Sequence, residues 1–213
     1  MIVVRTPLRV SFLGGGTDFP EHYREHGGAV ISTAIDKYVY VIVKQRFDDM
    51  VYVNYSKKEI VESADELQHE LVREAMRVVG VKRGVEITTL ADVPSSGTGL
   101  GSSSSVTVGL LQALHSYRGR LVTAETLARQ ACEIEIERCG KPIGVQDQYI
   151  AAYGGLREFI FGEDDDVQVA ALGLDEELLR RLNRNMMLFY THLTRPSGSV
   201  LSEQRENIGE RRA

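Results

Sequence analysis

Between Pro94 and Ser105 the chain places glycines at 97, 99 and 101 and then a run of serines. Glycine lets a backbone take positive φ and approach a ligand with no Cβ in the way. The stretch follows a β-rich run, Val85 to Leu90, and leads into an apolar-periodic helix from Ser102 to about Tyr117. A strand, a glycine turn and a helix N-terminus in that order make an anion trap. The first helical amides lack intrahelical acceptors, and the macrodipole adds partial positive charge there. The candidate phosphate-binding residues are Gly97, Thr98, Gly99, Leu100, Gly101, Ser102, Ser103 and Ser104. A solvated Gly/Ser linker is the plain alternative, but a linker does not belong between a strand and an amphipathic helix. No Gly-Lys-Ser/Thr follows Gly97, so this is not a Walker A loop. The charge of a nucleotide must be met by backbone amides, a metal and side chains from elsewhere.

Carboxylates are the next candidates. A helix capped by Thr123 and running to about Arg138 places Leu127, Ala128, Ala131, Cys132 and Ile134 on one face, with Glu135 near its middle. Glu133 and Glu137 point the opposite way, as solvated charges. A carboxylate inside an apolar stripe must be paired or hold a cation. Glu135 is therefore a magnesium ligand, with Ser103 as its partner, or half of a salt bridge, with Arg138 in reach. Asp147 follows a glycine-bounded turn at Gly144, where it can orient or deprotonate a hydroxyl or cap a helix. Asp18, after Gly14 to Thr17, is a turn-former or an acceptor for a polyol hydroxyl. Arg9, on the strand leading into that turn, could stabilise a developing anion or lie on the surface.

These motifs must be positioned by an α+β fold with strands early and helices following. Residues 2–12 read as a strand or strand pair interrupted at Pro7. Residues 29–34 and 38–44 read as two strands joined by a tight turn at 35–37, and 51–55 as a further short strand. Ser63 to Glu66 forms a capping-box pattern that opens a helix ending at Gly80. After the glycine turn and its helix come the Glu135 helix, a short helix at 144–152, and a hairpin of 156–161 with 167–172 around an acidic turn. A helix is expected at 175–184, a buried strand at 186–191, and a helix from 197 to about 208.

The 213 residues carry 43% hydrophobic side chains, enough for a sizeable core, and a net charge of −5, which argues against a polyanion partner. Cys132 and Cys139 lie about two helical turns apart, too far for a disulfide, and read as thiols of a reducing cytoplasm. No leader pattern is expected, and no stretch approaches the roughly 20 apolar residues of a membrane span.

Taken together the motifs resemble those of the GHMP small-molecule kinases. The segment from Arg5 to Asp18, with Gly14-Gly15-Gly16-Thr17-Asp18, looks like the first family motif. Pro94 to Ser103, with Gly99-Leu100-Gly101-Ser102-Ser103, resembles the ATP phosphate loop. Gly144 to Gln148 resembles the segment carrying the catalytic Asp. The Gly-Gly-Gly-Thr-Asp variant most resembles the branch acting on D-glycero-D-manno-heptose 7-phosphate. The resemblance implies a ribosomal-protein-S5-like N-terminal domain over residues 1–184 and the beginning of a ferredoxin-like C-terminal domain over 185–213. It implies Asp147 as catalytic acid/base with Arg9 as its charge partner, and Ser103 with Glu135 as Mg²⁺ ligands. It implies Gly97 to Ser104 around the ATP phosphates, and Asp18, with Thr17 and Gly16, at the sugar.

The expected partners are ATP, Mg²⁺ and a small sugar phosphate, without nucleic acid or membrane. Other acceptors of galactose, fucose or arabinose type, a non-catalytic sugar or nucleotide sensor, and an RNA-binding protein on the same fold are the competing readings. The family's third glycine-rich motif has no match after Gly162, and Val145 stands where the heptose branch often has Lys. The expectation is a C-terminally truncated chain of weak activity. An unpaired strand at 186–191 would invite oligomers.

Overall fold

The computed structural model describes residues 1–94 and 97–189, together with Thr191, Leu201 and Ile208. Its organising strand is β2, Gly28–Gln45, which pairs antiparallel along its length with β1, Ile2–Leu13. The two strands expected at 29–34 and 38–44 are therefore one. The interruption expected at 35–37 is a bulge: Pro7 faces Tyr38 and Arg9 faces Ala34, so three residues of β2 oppose Leu8 alone. Long-range pairing on both sides carries the strand through a segment that locally reads as a turn.

β2 also changes partner along its second edge. Its C-terminal half pairs with β5, Val85–Ala91, and its N-terminal half with β6, Leu156–Phe161. Beyond β5 lie β3, Val51–Asn54, parallel to it, and then β4, Lys58–Val61. Beyond β6 lies β7, Val167–Ala171, completing the expected hairpin. β4 escapes sequence reading because Lys58-Glu59-Ile60-Val61 is short, charged and half exposed.

α1, Pro20–His26, was not expected, being a short polar segment opened by Pro20. Tyr23 packs its ring near Phe161 and donates its hydroxyl to Asp165 in the β6–β7 turn (2.9 Å). The capping box expected at Ser63 caps a single 3₁₀ turn, Ala64–Glu66, and the chain breaks before α2, Glu70–Val79, which ends at left-handed Gly80. Leu67, Leu71, Val72 and Ala75 are buried, as their spacing predicts.

α3 runs from Ser102 to Tyr117, the predicted bounds, and packs on β1 and β2 between α2 and the pair α4, Ala124–Cys132, and α5, Gln146–Tyr153. Leu110, Leu111 and Leu114 have no exposed surface, and each contributes about 2 kcal/mol of apolar burial. With the central helix buried on nearly every side, its N-terminus has little freedom to move, which is what a ligand-binding helix end needs.

α4 has the expected N-cap, with Thr123 accepting from the Thr126 amide (3.2 Å). Its continuation, Glu133–Arg138, widens into a π-helical turn. α6, Glu176–Arg184, has the Asp175 cap and buries none of its residues. At 186–189 the expected strand is absent: these residues are exposed and pair with no strand among the described residues. The end of that expectation, and most of the helix at 197–208, lie outside the described residues, although Leu201 and Ile208 are helical. Among the described residues no helix is long and apolar enough to cross a membrane.

Candidate functional site

The glycine turn is built by alternating handedness. Gly97, Gly99 and Gly101 have φ of 73°, 70° and 72°, whereas Thr98 and Leu100 between them stay out of the positive-φ region. Such alternation turns successive amide N–H groups inward, making a concave anion nest. Gly101 is also the N-cap of α3, and Ser105 donates the first helical bond, to Gly101 O (3.0 Å). The amides of Ser103 and Ser104 thus lack an intrahelical acceptor. Ser105 Oγ further ties the helix start to Pro7 O of β1 (2.7 Å).

Arg9 and Asp147 meet at this nest. Arg9 donates from Nε to Asp147 Oδ1 (2.6 Å) and from Nη2 to Oδ2 (2.7 Å), a bidentate fork, while Nη1 reaches Gly99 O (2.6 Å). The Arg9 amide also donates to Leu100 O (3.1 Å), so backbone and side chain of one residue hold the loop. Gly101 is required for its φ, and a Cβ there would also be tight, 3.1 Å from Arg9 Cγ and 3.3 Å from Asp147 Oδ2. Asp147 is not the cap of α5: Val145 is, with no side-chain bond, and Asp147 sits in the helix's first turn. The surface reading of Arg9 also fails, since its side chain is only 16% exposed.

Asp18 closes the other side. It is 2% exposed, accepting from the Gly16 amide at Oδ1 (3.0 Å) and from the Gln146 amide at Oδ2 (3.2 Å), while its carbonyl accepts from Val145 N (3.1 Å). Burial pushes its carboxyl above the usual range of about 3.8; the Asp147 charge adds to this, and the backbone donors oppose it. A Cβ on Gly144 would lie 2.0 Å from Asp18 Oδ2, so this neighbour must be glycine. Thr17 has a structural post: its hydroxyl lies within hydrogen-bond distance of the carbonyls of Gly14 (2.8 Å) and Ala29 (3.0 Å), with one proton to give, and accepts from Ala29 N (3.1 Å). Gly16 supplies its amide to Asp18. Of the three residues expected at a sugar, Asp18 is the one whose carboxyl group is set beside Asp147, and the other two hold it there.

Glu135 is fully buried, and its partner is not Arg138, which pairs with Glu133 (2.6 Å) and reaches Glu74 (3.6 Å). Instead Ser103 Oγ donates to Oε1 (2.6 Å), while Ser104 Oγ and Gln148 Nε2 donate to Oε2 (2.6 and 2.8 Å). Ser104, expected at the phosphates, is 2% exposed with its hydroxyl committed to this carboxylate. Lys141 stands beside the pair, its Nζ donating to Ser103 Oγ (3.0 Å) and lying 3.7 Å from Glu135 Oε1. Ser103 and Glu135 fit magnesium in the chemistry of their donors: a hydroxyl and a carboxylate are hard oxygens, and Ser103 belongs to the first turn of α3 at the phosphate nest. No cluster of three or more His, Cys, Asp or Glu among the described residues forms an all-protein cage.

Beside Ser102 and Ser103 lies a cavity of about 260 Å³, walled by Val39, Tyr55, Leu90 and His69. His69 Nδ1 is buried with no partner among the described residues, and burial pushes its imidazole pKa down. Thr98 Oγ1 and Gln146 Oε1 are buried and unpartnered in the same sense. Thr98 belongs to the glycine turn and Gln146 precedes Asp147 in α5, so both unpaired atoms are on segments that build the site. Sequence reading missed Lys141, Gln148 and His69. Only Gln148, beside Asp147, carried any signal, because the other two reach the site through folding.

The description "GHMP kinases N terminal domain" matches residues 54–155, a span that includes the phosphate loop, Glu135 and Asp147 but not Arg9 or Asp18. The chain is 27% identical to a D-glycero-alpha-D-manno-heptose 7-phosphate kinase of Campylobacter jejuni, over all of this chain and 66% of that protein. It is 26% identical to a galactokinase of Pyrococcus furiosus, over 98% of this chain and 58% of that one. It therefore spans less than two thirds of these relatives. Among solved structures it superposes on a D-glycero-D-manno-heptose 1-phosphate kinase from Bacteriodes thetaiotaomicron with a TM-score of 0.80 at 27% identity, covering 85% of this chain and 63% of the other.

Proposed function

We propose that this chain, which carries a GHMP kinase N-terminal domain, transfers the γ-phosphoryl group of ATP to a sugar phosphate hydroxyl. The acceptor is the anomeric hydroxyl of a heptose 7-phosphate. The observation that carries this reading is the bidentate Arg9–Asp147 pair, placed within a Cβ's width of Gly101 at the mouth of the phosphate nest. A pure binder has no use for a carboxylate held at that point.

The roles follow from positions. The amides of the glycine turn and of the α3 N-terminus receive the phosphate oxygens, and the cavity beside Ser103 takes the nucleoside. Asp147 orients the attacking hydroxyl and accepts its proton as the new P–O bond forms and the bond from the γ-phosphorus to the bridging oxygen breaks, releasing ADP. Arg9 holds Asp147 in register and offers positive charge to the phosphoryl group in flight. Asp18 accepts a neighbouring sugar hydroxyl. Ser103 and Glu135 would hold Mg²⁺, which when bound neutralises phosphate charge. Positioning and electrostatics of this kind are most of what phosphoryl transfer asks of a protein.

In this reading residues 1–184 are the ATP-binding domain and 185–213 begin a second domain. The working site is cytoplasmic, where Cys132 and Cys139 stay free, and neither nucleic acid nor membrane is a partner. A free hexose is the second reading, favoured by the 26% identity to a galactokinase. A coupled ADP-release assay over sugars and sugar phosphates decides between them. Release with heptose 7-phosphate and not galactose supports the first reading, the reverse supports the second, and none above background with any acceptor removes both.

A further inference from the structure

Glu135 and Lys141 are joined twice. The Lys141 amide donates to Glu135 O (2.9 Å) across the end of the π-helical turn, where left-handed Gly140 reverses the chain. The side chain then comes back over the carboxylate, with Nζ 3.0 Å from Ser103 Oγ and 3.7 Å from Glu135 Oε1. These are the two oxygens that suit a divalent cation, so the ammonium sits where that cation's charge would sit. A second carboxylate already shares the ammonium: Glu70 Oε1 is 3.5 Å from the same Nζ, nearer than Glu135 Oε1, and its side chain is 48% exposed, against none for Glu135. Lysine is a compact charge on a flexible stem, able to leave an inner partner and keep an outer one.

We propose that Lys141 is a placeholder cation. It neutralises the Ser103–Glu135 pair while the nucleotide site is empty, and withdraws from Glu135, keeping its contact with Glu70, when a divalent ion arrives with the phosphates. An ammonium and a divalent ion cannot share contact distance of one carboxylate without strong repulsion, even at an effective dielectric of about 20. The bare metal is therefore excluded, and the ion is accepted only when phosphate charge comes with it. This rests on reading Ser103 and Glu135 as the metal's oxygens, and Lys141 acts on the metal rather than on the reacting atoms.

The test is Mn²⁺ binding followed by electron paramagnetic resonance, which needs no turnover. The wild-type protein should bind Mn²⁺ at least about tenfold more weakly without nucleotide than with ADP, whose phosphates both supply ligand oxygens and offset the ammonium, and the Lys141 variants separate these two effects. Lys141→Gln should tighten nucleotide-free binding by about tenfold or more, Lys141→Arg should not, and Glu135→Gln in the Lys141→Gln background should abolish the gain. Tight nucleotide-free binding by the wild type that Glu135→Gln removes would overturn the proposal, even if the Lys141 variants fail to fold. So would a Lys141→Gln protein that binds no tighter, or a gain that survives Glu135→Gln. Failure of the kinase reading looks different: these arms would behave as stated while no acceptor yields ADP.

Discussion

Asp147 has both carboxylate oxygens on one guanidinium, and Asp18 has both on backbone amides, so the two acids that share this site are held by different means. Replacing Asp147 by Asn removes the proton acceptor but keeps the shape. Turnover should fall by about 10²–10⁴-fold with ATP affinity nearly unchanged, measured by steady-state kinetics and calorimetry. Equal losses in both would make Asp147 a structural residue. Asp18 makes a prediction about pH. Its folded carboxyl is raised, so the folded state binds the proton more tightly than the unfolded chain does. Its contribution to stability is then fully present below the ordinary value near 3.8 and is lost as pH rises through the raised one. Relative to Asp18→Asn, the wild type should become less stable as pH rises across that window, as urea melts at a series of pH values would show. A constant difference would mean that the burial penalty is absent.

Elements decide whether those side chains meet. The turn at 14–18, the N-terminus of α3 and the start of α5 converge through two glycines: Gly144, where a Cβ would collide with Asp18, and Gly101, whose positive φ a larger residue would strain. Gly144→Ala places a methyl 2.0 Å from Asp18 Oδ2, and the backbone of either segment must move. The cost should be about 2 kcal/mol, lowering the melting midpoint by roughly 4–8 °C, with a loss of turnover beyond what stability explains. An unchanged midpoint would show that the Asp18 turn is free to shift. The π-helical turn after α4 has a comparable duty. It keeps Glu135 inward while carrying Lys141 back over it, which a straight α-helix ending at Arg138 would not do.

At the scale of the whole molecule, the sheet forks on one side of β2, and α3 is buried against the strands before the fork. The phosphate nest is therefore tied to the core by a helix with almost no exposed face, and ligand binding there should register in global stability. Mg·ATP at about 100 times its dissociation constant should add about 2.7 kcal/mol, a rise of roughly 5–10 °C in the melting midpoint. ATP with chelator should give less, and no shift under either condition would count against a nucleotide site. By contrast α6 and residues 186–189 bury little, and their loss should leave that shift intact.

Much of this protein is legible from local pattern. The strand–glycine–helix order at 85–117, the Thr123 cap, the Gly80 stop, the helix at 175–184 and the β6–β7 hairpin all follow from periodicity and turn chemistry acting within a few residues. The sequence also singles out Glu135, because a carboxylate inside an apolar stripe must be paired or hold a cation, whereas it leaves Asp147 open between a helix cap and a hydroxyl acceptor. What local pattern cannot reach is anything made by residues far apart in the chain. Residues 35–37 read as a turn until the pairing of β2 before and after them makes them a bulge, and 186–189 read as a buried strand although no strand among the described residues pairs with them. Whether Arg9 faces solvent or grips Asp147 across 138 positions, and whether Glu135 pairs with Arg138 or with Ser103, Ser104 and Gln148, was likewise decided by the tertiary structure. Spacing on one helix sets which way a side chain points, but what it meets is set by the packing of the others.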